Sequence, residues 1–149
     1  MVKTPIFFTH IPKTAGTSFK DSVVSPNLPE EAILKYRNRR QWGIDLAQYQ
    51  LVSGHFKHGL HWFFRMPPRY ITFFRDPVNR AVSYYYFIKD CDRKLYLHPL
   101  RDFADSRDLT GFYCNRRLQN IQTHFIAGYF ASEMHLRLPW LYTGRRTTY

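Results

Sequence analysis

The sequence predicts an α/β protein, a three-layer α/β/α sandwich around a parallel sheet. Three apolar, β-prone runs carry that expectation, at residues 5–11, 51–56 and 69–74. Each ends at a residue with chemistry to offer: Lys13 after the first, His55 in the second, Arg75 after the third. In open parallel sheets, ligands collect beyond the carboxyl ends of the strands. All three side chains are therefore expected at one cleft. The length of 149 residues is that of a single domain, 1–149, and 44% hydrophobic residues suffice for a core.

The first run is closed by Pro12 before a helix could form. Residues 13–17 then have to bend sharply, and Gly16 is the residue expected to permit it. Thr17 and Ser18 are good N-cap types, and residues 19–24 can continue as a helix. A turn of this kind aims backbone N–H groups at one spot near the positive end of a helix, which attracts phosphate or sulfate. Lys13 adds a mobile charge, and Thr14, Thr17 and Ser18 add hydroxyl donors. The order is not that of the nucleotide-triphosphate loop G-x-x-x-x-G-K-[ST], because here the lysine precedes the glycine.

Residues 25–29 read as a loop and 30–50 as weakly helical, with a basic cluster at 36–40 taken as solvated surface. The second run leads through Ser53-Gly54-His55-Phe56 into a segment that also holds His58 and His61. Three histidines raise a zinc reading, but no carboxylate or thiolate partner and no second ligand cluster follows. No metal is expected. The third run gives way to Asp76-Pro77, where aspartate can cap a helix and proline fits its first position. Ser83 falls about two turns into that helix. The aromatic residues 84–87 are read as core. Further on, 100–105 reads as a short helix and 113–127 as a longer one that stops at Gly128.

The net charge of +11 implies an anionic partner. Nucleic acid is not the expected one: the aromatics lie in strand and helix patterns and none of the nucleic-acid motifs is present. A phosphate-transferring enzyme lacks its lysine order and a carboxylate for magnesium. Cys91 and Cys114 make no framework and read as two thiols or one disulfide. No apolar run approaches membrane-spanning length, so no transmembrane segment is expected.

Two motifs together resemble a known family. His10-Ile11-Pro12-Lys13-Thr14-Ala15-Gly16-Thr17-Ser18 resembles the 5′-phosphosulfate loop of sulfotransferases that use 3′-phosphoadenosine 5′-phosphosulfate (PAPS). Arg75-Asp76-Pro77-Val78-Asn79-Arg80-Ala81-Val82-Ser83-Tyr84-Tyr85 resembles their 3′-phosphate motif. The carbohydrate branch that includes heparan sulfate 2-O-sulfotransferase is the most similar, through Ser53-Gly54-His55-Phe56 and through residues 120–128, where His124 stands in place of the usual arginine. The resemblance implies a P-loop-like sulfotransferase fold with PAPS as donor, PAP (adenosine 3′,5′-bisphosphate) as product and no metal. Lys13 and His55 would be catalytic, the histidine as general base. Lys13, Thr14, Ala15, Gly16, Thr17, Ser18, Arg75 and Ser83 would hold the cofactor. His10, Asn120 and Gln122 would meet the acceptor, an acidic or neutral glycan. Members run on past the equivalent of residue 128, so a chain truncated at its C-terminus is expected. Such a chain could also be an inactive remnant that binds PAP or an anionic glycan. Met1-Val2-Lys3 runs straight into the first strand, so the sequence reads as cytoplasmic; a piece of a longer enzyme would instead belong to the Golgi lumen or its membrane.

Overall fold

The computed structural model describes residues 4–91 and 98–137, with side chains up to residue 129. Residues 92–97 and those beyond 137 lie outside the described residues. The chain divides into two compact units. One comprises residues up to 9, 30–71 and from 123 on; the other comprises 10–29 and 72–122.

The first unit holds a four-stranded, all-parallel sheet. Its strands are β1 (Ile6–Thr9), β2 (Ile33–Lys35), β3 (Leu51–Gly54) and β4 (Tyr70–Ile71), in the order β2-β3-β1-β4. The α/β class is thus as the sequence predicts. β1 is central, pairing Phe7 with Val52 on one side and with Tyr70 on the other. Strands covered on both faces read as continuous apolar runs, and Phe7, Phe8, Leu51 and Val52 are all buried. The core around them is Phe7, Leu34, Leu46, Val52, Phe56 and Leu60. Gly54 ends β3 where a Cβ would lie 2.4 Å from the Tyr36 carbonyl oxygen, so only glycine admits that approach.

β2 falls inside the stretch expected to be weakly helical. Its three residues follow Glu30-Glu31-Ala32, a short 3₁₀ turn, and carry too little local signal to read as a strand. Pairing with β3 makes the strand. β4 is shorter than the expected 69–74. It is an edge strand bonded to β1 alone, and β1 ends at Thr9. A short helix, α1 (Leu60–Phe63), lies between β3 and β4.

The second unit is helical. Gly16–Phe19 is a helical turn that passes through a π turn at Lys20–Val24 into a last turn at Ser25–Asn27. The long helix α2 (Pro77–Asp90) packs with α3 (Arg101–Asp105) and α4 (Leu109–Tyr113) around Tyr85, Ile88, Ala104, Phe112 and Leu118. Asp76 caps α2 as expected, its Oδ1 accepting the Asn79 N–H at 2.8 Å, with Pro77 in the first turn. The aromatic run 84–87 is only partly core: Tyr85 is buried, whereas Tyr86 and Phe87 are 52% and 42% exposed. Cys91 and Cys114 are both free thiols.

The expected helix 113–127 is divided. α4 ends at Tyr113, a 3₁₀ turn capped by Asn115 spans Arg116–Leu118, and α5 (Ile121–Arg137) begins after Asn120. Gly128 breaks α5 with φ 83°, but the helix resumes beyond it. A Cβ there would lie 2.7 Å from the His58 carbonyl oxygen, so glycine is required by contact as well as by φ. Among the described residues no helix is long and apolar enough to cross a membrane.

Candidate functional site

Within the second unit a cavity of about 390 Å³ is lined by His10, Lys13, Thr14, Ala15, Gly16, Thr17, Ser18, Phe74, Arg75 and Ser83. Ordinary small-molecule pockets span about 300–1,000 Å³. Both ends of the sequence prediction, the Lys13 loop and the Arg75–Ser83 pair, line this one space. The two fixed charges on its wall, Lys13 and Arg75, are both positive.

The loop is built differently from the expectation. Lys13 and Ala15 are its left-handed residues, at φ 66° and 69°. That conformation disfavours side chains with a Cβ by about 1–2 kcal/mol each. Gly16 is not needed for its φ. It is needed for clearance: a Cβ at that position would lie 2.1 Å from Cδ2 of His10 and 2.2 Å from its Nε2. The imidazole of His10 therefore lies directly over the loop, at the cavity wall.

Neither Thr17 nor Ser18 caps the helix. The position before its first turn is taken by Ala15, without a side-chain cap. The first intrahelical bond runs from the Phe19 N–H to the Ala15 carbonyl at 3.0 Å. Gly16, Thr17 and Ser18, whose N–H groups precede that bond, are lining residues of the cavity. Thr14 is buried and its hydroxyl donates to the Ile11 carbonyl at 2.8 Å, so its side chain braces the turn.

The second wall is held by capping and by one long-range clamp. Gln122 Oε1 accepts the Arg75 N–H at 3.0 Å, and Gln122 Nε2 donates to the Arg75 carbonyl at 2.9 Å. Both polar atoms of Gln122 are thus engaged with the backbone of Arg75, which leaves the arginine side chain exposed at the cavity. Ser83 is half-buried on α2. Asn120 has φ 50° in the turn before α5, a conformation that asparagine tolerates better than most residues. Phe74 is a lining residue that sequence reasoning missed; it is 61% exposed although it ends a β-prone run.

His55 belongs to the first unit, exposed just beyond β3. Its two neighbours in sequence have structural roles. His61 is buried, its backbone N–H donates to the Tyr70 hydroxyl at 3.1 Å, and its Nδ1 lies 3.0 Å from the same oxygen. Burial, and then the nearby His58, push the pKa of His61 below 6.5. Burial pushes that of Tyr70 up. Among the described residues no group of three or more histidine, cysteine or acidic side chains could hold a metal ion.

No protein-family model matches the chain, and no curated protein or solved structure matches it significantly.

Proposed function

We propose that the chain is a PAPS-dependent sulfotransferase acting on a carbohydrate hydroxyl, with a P-loop-like sulfotransferase fold. One observation carries this reading: the Lys13 loop and the Arg75–Ser83 pair line a single cavity of about 390 Å³. A ligand with anionic groups at two ends matches two cationic walls. The lining also offers backbone N–H donors at one wall and a hydroxyl at the other, as such a ligand requires.

The donor, when bound, supplies an activated sulfuryl group. Lys13 and the N–H groups of Gly16, Thr17 and Ser18 stabilise negative charge that develops beside the loop. Arg75 and Ser83 hold the ribose phosphate and supply orientation more than chemistry. A sugar hydroxyl is a poor nucleophile while it keeps its proton, and His55, through the resemblance, is the group that accepts it. His10 places an imidazole at the loop wall.

Two assays test the reading. Calorimetry should show PAP binding in the absence of magnesium. Transfer of labelled sulfate to a glycan should proceed, and Lys13→Ala should lower it by orders of magnitude while weakening PAP less. Absence of PAP binding by the unaltered chain contradicts the reading. PAP binding without transfer would make the chain a binding module.

A further inference from the structure

Phe87 is a large apolar ring left 42% exposed on α2, next in sequence to the fully buried Ile88. It is no part of the helical core formed by Tyr85, Ile88, Ala104, Phe112 and Leu118. Its ring nevertheless has a specific neighbour. The ammonium of Lys13 lies 4.5 Å from its centroid, over the face. The ring also meets His98 edge-on, with centroids 6.4 Å apart at 85°. Residues four apart on a helix share a face, so Ser83 and Phe87 stand on the same side of α2. One helix therefore presents a cavity-lining hydroxyl and, one turn later, the support for the loop cation.

We infer that Phe87 is the positioning residue for Lys13, holding its ammonium at the cavity wall through its π face. The chemistry of that support matters. A carboxylate at this place would neutralise the charge and take up its N–H donors. An aromatic face attracts the cation through its quadrupole and leaves the net charge in place. An ammonium has three N–H bonds and a π face does not consume them as a carboxylate would, so it leaves donors for an anionic ligand. The left-handed backbone at Lys13 sets where the side chain starts, and the ring sets where it ends. The contact does not depend on the proposed function; its effect on turnover does.

The test compares Phe87→Leu, which keeps an apolar side chain without a π face, with the conservative Phe87→Tyr. In the ligand-free protein the Lys13 methylene protons next to the ammonium, assigned by their absence from Lys13→Arg, should be displaced upfield by the ring. That displacement should persist in Phe87→Tyr and vanish in Phe87→Leu. Turnover in Phe87→Leu should fall about twofold to fivefold, the range of an exposed cation–π contact, mainly in kcat, with Phe87→Tyr restoring it. Ordinary shifts at Lys13, or a displacement retained in Phe87→Leu, overturn the inference. A normal displacement in a chain that binds no PAP upholds the contact and overturns the proposed function instead.

Discussion

The cavity has two walls made by two solutions to one problem, how to turn a chain from an extended segment into a helix beside an open space. The wall at residues 13–18 is held in an unfavourable backbone: two left-handed non-glycine residues, a buried threonine bracing the turn, and an imidazole pressed against a glycine. The wall at 74–83 uses favourable parts throughout, an aspartate cap, a proline in the first turn and an amide clamp on one backbone unit. Strain of the first kind persists only where the surroundings over-determine it, and it gathers where backbone atoms meet ligands. The difference predicts that the first wall is intolerant of added volume and the second of lost hydrogen bonds.

The largest effect is expected at Gly16. In Gly16→Ala the new methyl meets the His10 ring, so either the ring or the loop gives way. Overpacking of this kind costs about 1–3 kcal/mol, and thermal melts should show it together with loss of PAP binding. Combining it with His10→Ala should recover most of the stability. A Gly16→Ala chain as stable as the parent would mean that the loop is not over-determined.

Gln122→Ala should act more mildly and on the other wall. Each exposed amide bond contributes about 0.5 kcal/mol, at the low end of the usual range. Losing both should weaken PAP about fivefold through Arg75, with little change in turnover at saturation. Gln122→Glu keeps the acceptor but not the donor and should fall between. Equal damage to turnover and affinity would show that Gln122 meets the acceptor itself, as the family resemblance implies.

The same contrast explains what could be read in advance. The capped corner is written in adjacent residues: Asp76 and Pro77 announce a helix start, and the structure has one there. The lysine-led turn is legible as a sharp corner from its residue types and order. Its actual mechanics are not, because a left-handed alanine has no local signature, and the need for Gly16 arises from His10 six positions earlier. β2 escaped for a related reason, since three residues carry no usable period and only pairing with β3 makes them a strand. The Gln122 clamp spans 47 residues, and the Lys13–Phe87 contact likewise joins distant segments. Neither leaves a spacing pattern to find. The exposure of Phe87 leaves no sign in the sequence either, because an aromatic run looks apolar whichever way each ring faces.

The central claim is that one ligand spans both walls. The most direct test is a calorimetric comparison of PAP with adenosine 5′-monophosphate, on the parent chain and on Arg75→Ala. The account predicts that the parent prefers the bisphosphate and that Arg75→Ala loses that preference while still binding the monophosphate. Equal affinity of the parent for both ligands, or a preference that survives removal of the guanidinium, would contradict it.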